Sequence, residues 1–310
     1  MTINLIENIK RLKYERNAII LAHYYQLPEI QELADYVGDS YYLSEVARDC
    51  KEKVIVFCGV KFMGESAKIL SPNKRVLMPV VNAGCPMADM VNEEGIVKLK
   101  EEYPNALVVC YINSTAEVKS HCDVAVTSSS ALNILKNIDE NQVLFVPDKN
   151  LGGYIEEKLP DKEFILWDGY CKYHNKVNES EILDLKSKYK DAKVLAHPEC
   201  RREVRNLADF VGSTSGIINY ATSSEEKDFI IATEEGILYE LIKKNPNKNF
   251  YIPGNRICCE DMKKTTLEDV YETLLNMKNE IIIEEDIRQR ALNCLLNMHR
   301  YTGDENEAYI

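Results

Sequence analysis

An internal repeat constrains this chain more than any other feature of its sequence. Three segments begin alike, at residues 19–25, 108–113 and 193–199, and each is a short apolar run that ends in polar groups. Such a run is typical of a buried parallel strand whose carboxyl end carries functional side chains. We use His23, Tyr111 and His197, which stand at matching places in these segments, as the reference positions of three units.

Two more apolar runs follow in each unit, with helix-like stretches between them. The second runs cover 54–58, 143–146 and 229–232, and the third cover 75–81, 163–167 and 249–253. Each unit thus alternates strand and helix three times, which predicts parallel sheets covered by helices. We expect an α/β fold of three repeated parallel-sheet domains around a pseudo-threefold axis. The units would span 1–101, 102–190 and 191–310, with an amphipathic helix at the N-terminus and another helix at 278–300.

A cysteine follows the third run of every unit at nearly the same distance. The distances from the reference positions are 62, 60 and 62 residues for Cys85, Cys171 and Cys259. Ligands of open parallel sheets bind beyond the carboxyl ends of the strands. Three such units around one axis would point those ends at one another, so the sequence predicts a single site that contains all three cysteines.

Composition limits the classes of partner and location. The formal net charge of −12 argues against nucleic acid or an anionic membrane as the main partner. Charged residues interrupt residues 1–17, which therefore do not form a signal peptide, and no apolar run reaches 18 residues. We expect a cytoplasmic protein, in which the ten cysteines are not expected to form disulfides.

Three converging thiolates can hold zinc or an iron–sulfur cluster. Zinc in a structural site takes a fourth protein ligand, and His174 could complete a Cys3His site. A [4Fe–4S] cluster normally takes four cysteines, so three leave one iron open to water or substrate. That iron would act as a Lewis acid. The residues alone leave both alternatives open.

Other repeated positions carry polar side chains. Ser40, Ser128 and Thr214 each stand 17 residues after a reference position, before a predicted helix start. Hydroxyls and free N–H groups at helix N-termini bind phosphate or carboxylate, although Ser and Thr also serve there as plain caps. Standing beside three aligned cysteines, they are interpreted here as substrate-binding groups.

The reference positions themselves suggest proton-transfer residues. His23 and His197 occupy the same place in two units. Two residues later, Glu199 is a carboxylate where the other units carry Tyr25 and Asn113, which makes it a candidate general base.

The chain resembles the quinolinate synthase family, iron–sulfur enzymes of NAD biosynthesis, over almost its whole length. The likeness rests on motifs at 22–26 (AHYYQ), 38–40 (GDS), 82–86 (NAGCP), 111–115 (YINST), 127–129 (TSS), 169–174 (GYCKYH), 197–200 (HPEC), 212–214 (GST) and 259–263 (CEDMK). So many motifs in one order are highly specific. The resemblance implies three Rossmann-like domains with a [4Fe–4S] cluster at their junction.

The resemblance also implies an activity. Iminosuccinate (iminoaspartate), supplied by L-aspartate oxidase, would condense with dihydroxyacetone phosphate to give quinolinate, phosphate and two waters. The cluster ligands would be Cys85, Cys171 and Cys259, and His23, Tyr25 and Glu199 would move protons. The residues that would bind substrate are His23, Ser40, Tyr111, Asn113, Ser128, His174, His197, Glu199, Ser213 and Thr214.

The chain departs from the family pattern near its last cysteine. Glu260 follows Cys259 where the family usually has proline, and Cys258 stands next door. The spacing to Met262 and Lys263 favours Cys259 as the ligand. A Cys-x-x-Cys-x-x-Cys run that some members carry here is missing, so redox regulation through that run is not expected.

Two rival functions remain. One is another trefoil iron–sulfur enzyme, such as a hydroxymethylbutenyl diphosphate reductase, which would also use one cysteine per repeat. The other is a non-catalytic cluster or zinc protein that senses oxygen or iron. A sensor has no need of the aligned hydroxyl groups, and the proton-transfer residues fit condensation and dehydration better than reduction.

Overall fold

The computed structural model describes residues 2–254 and 257–302. Its first sheet and the associated helices are α1 (Thr2–Glu15), β1 (Ala18–His23), α2 (Pro28–Leu33), β2 (Tyr36–Gly38), α3 (Ser40–Asp49), β3 (Val54–Cys58), α4 (Lys61–Leu70) and β4 (Arg75–Leu77). Helix α1 is the amphipathic helix that the sequence predicts, and it buries Ile9 and Leu12.

The second and third sheets follow the same plan. The second group is α5 (Glu93–Glu102), β5 (Leu107–Tyr111), α6 (Ala116–Lys119), β6 (Val124–Val126), α7 (Ala131–Lys136), β7 (Gln142–Val146), α8 (Lys149–Lys158) and β8 (Glu163–Leu166). The third is α9 (Glu179–Lys188), β9 (Lys193–Ala196), α10 (Arg202–Asn206), β10 (Phe210–Val211), α11 (Thr214–Ser223), β11 (Asp228–Ala232), α12 (Ile237–Lys244) and β12 (Asn249–Tyr251). Helices α13 (Leu267–Asn276) and α14 (Glu285–Tyr301) follow.

The three sheets share one topology. Their strand orders are β2-β1-β3-β4, β6-β5-β7-β8 and β10-β9-β11-β12, and every pair is parallel. The predicted α/β fold of three Rossmann-like parallel-sheet units is therefore confirmed. The division at 1–101, 102–190 and 191–310 stays a prediction, and residues 303–310 lie outside the described chain.

Each sheet has four strands, so the prediction of three strands per unit was wrong. The missed strands β2, β6 and β10 have three, three and two residues at a sheet edge, too few to give an apolar run. Their signal is instead a repeated aspartate just before each strand. Asp35, Asp123 and Asp209 each accept a backbone N–H from the neighbouring strand at 2.8 Å.

The helix predicted at 278–300 begins later than expected, at Glu285. The preceding segment lies along the first sheet instead, because Ile281 N donates to Val76 O at 2.8 Å and Glu280 forms an antiparallel bridge with Leu77. Met277 and Asn279 turn the chain into this path with positive φ of 50° and 64°.

One continuous apolar core joins the three sheets. It contains Leu21, Val109 and Leu195, one from the first strand of each sheet, and the half-buried Cys85, Cys171 and Cys259 pack against it. The loops after the strand ends are therefore attached to a common centre. No helix in the described part of the chain has the length and apolar character needed to cross a membrane.

Candidate functional site

A pocket lies where the carboxyl ends of the three sheets meet. It encloses about 810 Å³ of empty space, part of it open to solvent, a size suited to a small-molecule ligand. Every residue that the sequence assigns to the site lines this pocket, except Ser213. Residues separated by up to 236 positions, from His23 to Cys259, are thus brought together.

The three cysteines share a local structure. Each stands just before a short 3₁₀ helix, at Ala88–Met90, His174–Lys176 and Asp261–Lys263. Burial raises the pKa of Cys85 to about 12 and that of Cys259 to about 11, and it raises the pKa of Cys171 strongly. In each case the backbone N–H three residues later acts against burial and favours the thiolate.

The spacing of the cysteines is wider than a single zinc ion requires. A tetrahedral site with Zn–S bonds of about 2.3 Å places its sulfurs about 3.8 Å apart. Among the described residues, the three ligand-type side chains whose ligand atoms all lie within 4.8 Å of one another are Cys171, His174 and Glu199. Cys85 and Cys259 lie outside that group, which argues against the Cys3His zinc site. Electrostatic interactions nevertheless connect the three cysteines, because Cys259 raises the pKa of Cys85 and Cys85 raises the pKa of Cys171.

Cys258 differs from its neighbour Cys259. Cys259 lines the pocket, whereas the Cys258 side chain interacts with Glu235 and burial raises its pKa to about 11. The backbone N–H of Cys259 is itself held by Glu234 Oε1 at 3.0 Å. The geometry therefore agrees with the choice of Cys259 as the third ligand.

The two reference histidines have the same hydrogen bonds. His23 Nδ1 accepts from Tyr25 N at 3.1 Å, and His197 Nδ1 accepts from Glu199 N at 3.3 Å. Burial lowers the pKa of both histidines to about 3, so both are neutral at neutral pH. An imidazole that accepts at Nδ1 carries its proton on Nε2, which makes each ring a hydrogen-bond donor at that atom.

Glu199 is the centre of a hydrogen-bond network. It accepts from Tyr111 OH at 2.7 Å, and His174 Nδ1 lies 2.9 Å from its other oxygen. Burial opposes its charge, but His174, His197 and these hydrogen bonds outweigh burial and lower the pKa of Glu199. Because an ionised carboxylate can only accept, His174 Nδ1 is the donor of this hydrogen bond.

The network continues to the first unit. His174 Nε2 lies 2.9 Å from Thr233 Oγ1, which lies 2.9 Å from Tyr25 OH. Tyr25 OH also contacts Thr214 Oγ1 at 2.9 Å. Burial raises the pKa of Tyr25 well above its ordinary value, so the phenol keeps its proton. A continuous chain of hydrogen bonds therefore joins Tyr25 to Glu199.

The repeated hydroxyl residues differ in their positions. Ser40 and Thr214 are the first residues of α3 and α11, whose caps are Asp39 and Ser213. Ser213 Oγ accepts from Gly216 N at 3.1 Å, which is a capping role. Ser128 lies in the turn before α7, which begins three residues later, and its hydroxyl hydrogen-bonds with Tyr111.

Sequence reasoning missed several residues of the pocket wall. Asp39, Thr127, Lys172, Tyr173 and Glu234 all line it. Glu234 could have been found from the repeat, because it follows β11 at the place where Asp148 follows β7. Lys172 gives no such signal, since only its neighbour Cys171 belongs to the repeated pattern.

The fold and the pocket define a class: a three-sheet α/β protein with a central, cysteine-lined site that suits a metal-dependent enzyme. Within this class, a model of the quinolinate synthetase A protein family matches residues 7–300. The chain therefore belongs to the quinolinate synthetase A family, whose curated members carry the name of an enzyme.

Individual relatives agree with the family model. The quinolinate synthase of Clostridioides difficile (strain 630) is 72% identical over 297 residues, which cover 96% of this chain and 98% of that protein. The one from Clostridium perfringens (strain 13 / Type A) is 59% identical over 96% of this chain and 99% of its own length. The one from Caldicellulosiruptor saccharolyticus is 54% identical over 94% and 98%. This likeness does not favour a hydroxymethylbutenyl diphosphate reductase.

Proposed function

We propose that this chain is a quinolinate synthase, which condenses iminosuccinate with dihydroxyacetone phosphate while a [4Fe–4S] cluster is bound by Cys85, Cys171 and Cys259. The observation that carries the proposal is the convergence of three cysteines from one repeat position on a pocket that also holds Glu199 and two neutral imidazoles. Membership of the family supports this reaction.

The cysteine site suits a cluster better than a single ion. Its three sulfurs do not all lie within 4.8 Å of one another, whereas a single zinc ion brings its sulfurs to about 3.8 Å. Burial raises the pKa of all three cysteines, and a backbone N–H near each one acts in the opposite direction. When bound by three cysteines, the cluster supplies an iron with a free coordination position that acts as a Lewis acid. The remaining chemistry belongs to the side chains of the chain itself.

Both substrates are anions, and the pocket offers donors for them. The hydroxyls of Ser40, Ser128 and Thr214 stand at or near helix starts, where free N–H groups add to the attraction of phosphate and carboxylate. Lys172 adds a positive charge to the wall. These local groups offset the formal net charge of −12 of the chain.

Protons are moved by the network around Glu199. The ionised carboxylate is placed to accept a proton, while His23 and His197 donate hydrogen bonds from Nε2 and Tyr25 donates from a neutral phenol. His174 links the acceptor to Tyr25 through Thr233. Condensation with two dehydrations needs protons removed from carbon or nitrogen and delivered to leaving oxygens, which this network can do.

The proposed reaction balances without an oxidant. Iminosuccinate and dihydroxyacetone phosphate together contain the atoms of quinolinate, one phosphate and two waters. New carbon–carbon and carbon–nitrogen bonds form, and the carbon–oxygen bonds to phosphate and to two leaving waters break. No electrons are therefore required from the protein, and a metal centre that polarises oxygen without redox change is sufficient.

The test uses protein purified without oxygen. We expect a brown protein with close to four irons and four sulfides per chain. With aspartate, L-aspartate oxidase and dihydroxyacetone phosphate, it should form quinolinate and free phosphate, and exposure to air should stop the reaction. A colourless protein with stoichiometric zinc, or full activity after removal of iron, would contradict the proposal.

A further inference from the structure

A repeated position just past the ends of β3, β7 and β11 carries a carboxylate in two of the three units. Val60, Asp148 and Glu234 each stand 37 residues after a reference position, two residues past the end of β3, β7 and β11. All three side chains are buried, with exposures of 2%, 0% and 1%. Burial of a carboxylate is costly unless it is hydrogen-bonded, so the two acidic residues need a structural reason.

The two carboxylates make the same pair of hydrogen bonds. Asp148 accepts from Leu151 N at 2.8 Å with one oxygen and from Cys171 N at 3.0 Å with the other. Glu234 accepts from Gly236 N at 2.6 Å and from Cys259 N at 3.0 Å. In each unit, one oxygen thus holds the turn that follows the strand, and the other holds the backbone of a proposed ligand cysteine.

The first unit has no carboxylate at this position, and its cysteine loop is held differently. Lys61 N, next to Val60, donates to Ala83 O at 2.8 Å. Gly84 N, next to Cys85, donates to Asp261 Oδ1 at 3.3 Å. Asp261 begins the 3₁₀ helix that follows Cys259, so the carboxylate that the first unit lacks is supplied by the third.

We propose that Asp148 and Glu234 are positioning residues that fix the backbone at Cys171 and Cys259 and thereby aim their sulfurs at the cluster. This inference rests on the proposed function. A cysteine side chain has one rotatable bond between its backbone and its sulfur, so the position of the sulfur follows the position of the N–H that the carboxylate holds. Groups that orient ligands in this way typically change metal affinity by 10–100-fold when they are lost.

The two positioning residues differ in their charge partners. Lys263 Nζ lies 3.0 Å from Glu234 Oε1 and also donates to the Tyr25 carbonyl oxygen, so it joins the third unit to the first. The described side-chain hydrogen bonds of Asp148 are those from the two backbone N–H groups, and the charges that act on it are those of Glu199 and His174. Substitution of Glu234 therefore disturbs the Lys263 contact as well, and Asp148 gives the cleaner test.

Asp148→Ser separates the two hydrogen bonds of Asp148. Serine is a good N-cap and keeps an acceptor for Leu151 N, but its shorter side chain withdraws the acceptor from Cys171 N. The matched control is Asn92→Ser, because Asn92 caps α5 through Gly95 N at 2.9 Å and makes the same kind of cap outside the pocket wall, seven residues past Cys85. Glu234→Gln tests the second residue with nearly unchanged shape.

The measurements are iron release to a chelator, the visible absorption of the cluster and the melting temperature. We expect Asp148→Ser and Glu234→Gln to release iron at least about tenfold faster than the wild type and to show altered absorption. Asn92→Ser should match the wild type in both, and Asp148→Ser should melt within a few degrees of Asn92→Ser. A folded variant that keeps wild-type release and absorption overturns the inference for its cysteine.

The outcomes separate this inference from the proposed function. If the wild type itself binds no iron, the proposed function fails. If the wild type holds the cluster and both variants hold it equally well, the positioning role alone fails. If Glu234→Gln does not fold, Asp148→Ser still decides the case, because its cap on α8 is preserved.

Discussion

Two groups of three cysteines lie in this molecule, and they differ in what surrounds them. The central trio, Cys85, Cys171 and Cys259, lines the pocket. The peripheral trio, Cys110, Cys122 and Cys294, is buried among apolar side chains where α14 packs against the second unit. Cys110 Sγ lies only 3.5 Å from Cys294 Sγ, and Cys110 also hydrogen-bonds with Cys122.

The comparison shows that closeness of thiols does not define a metal site. The peripheral thiols are tightly grouped, but they do not line the pocket, and their positions are not repeated. Cys110 stands just before Tyr111, and the matching residues in the other units are Ala22 and Ala196. At that place a cysteine serves as a small buried apolar residue. The central thiols combine a repeated position, open space and nearby backbone N–H groups.

The largest expected effect distinguishes the trios by iron content. Cys85→Ala, Cys171→Ala and Cys259→Ala should each lose nearly all iron and all quinolinate formation, because three ligands are the minimum for the proposed cluster. Cys110→Ala and Cys294→Ala should keep wild-type iron while losing about 1–2 kcal/mol of unfolding free energy from the cavities they leave. Iron and sulfide analysis after anaerobic purification checks both statements.

Cys258→Ala is the control for the choice between adjacent cysteines. It should keep the cluster, because the Cys258 side chain interacts with Glu235 outside the pocket wall. Loss of iron in Cys258→Ala with retention in Cys259→Ala would reverse the assignment. Loss of iron in Cys110→Ala, in a protein that still folds, would remove the distinction between the trios.

A charged residue lies beside each group of three cysteines. Replacing each of these two residues with a neutral one tests whether only the central group takes part in the reaction. Glu199→Gln keeps shape but removes basicity, so turnover should fall on the order of 10²–10⁴-fold with iron and substrate binding intact. Lys119, fully buried beside the peripheral trio, donates to the Ser114 carbonyl oxygen. Lys119→Met should cost about 1–3 kcal/mol of stability by leaving that oxygen unpaired, with turnover per folded chain unchanged.

Steady-state turnover, iron content and chemical denaturation together check this pair. Glu199→Gln within about threefold of wild-type turnover would show that Glu199 positions substrate without acting as a base. A large fall in turnover of folded, iron-loaded Lys119→Met would mean that the peripheral trio takes part in the reaction.

The sequence was sufficient for the architecture because the repeat multiplies weak signals. A single run such as Val54–Cys58 predicts a strand of uncertain partner, but three runs in register predict three sheets. The edge strands were not predicted because they are very short. For example, β10 has two residues, and the residue that marks it in the sequence, Asp209, is polar and lies outside the strand. The late start of α14 was not predicted because its cause is the hydrogen bond between Ile281 and Val76, which are some 200 positions apart.

The site divides in the same way. Side chains at repeated positions, such as His23 and His197, could be predicted to lie in one pocket. The hydrogen bonds between units could not be predicted. Those that join Tyr25 to Thr233 and Tyr111 to Glu199 depend on how the sheets pack against each other. Asp148 and Glu234 are an intermediate case, since their repeat position was visible but nothing in the sequence shows which N–H they hold.

The smallest expected effect concerns the pH dependence of stability near the central trio. Burial lowers the pKa of His23 and His197 to about 3, with Lys263, His197 and Glu199 acting on His23, and with Glu199 and His174 acting on His197. The unfolded chain, with ordinary pKa values near 6.5, therefore binds more protons than the folded chain between about pH 6.5 and pH 3. The unfolding free energy must fall as the pH is lowered through that window.

Between pH 8 and pH 5.5, each of the two histidines should lower the unfolding free energy by about 1.4 kcal/mol. The variants His23→Gln and His197→Gln should each lack the loss that comes from the replaced histidine. Asp148 changes the unfolding free energy in the opposite direction over this pH range, because burial raises its pKa to about 7. Asp148 is present in the wild type and in both variants, so its contribution cancels when their unfolding free energies are subtracted. Denaturant unfolding at both pH values, with equal iron content, measures that difference. An equal loss in wild type and variant would mean that the imidazoles become charged inside the fold, where they could no longer act as the neutral donors that the pocket requires.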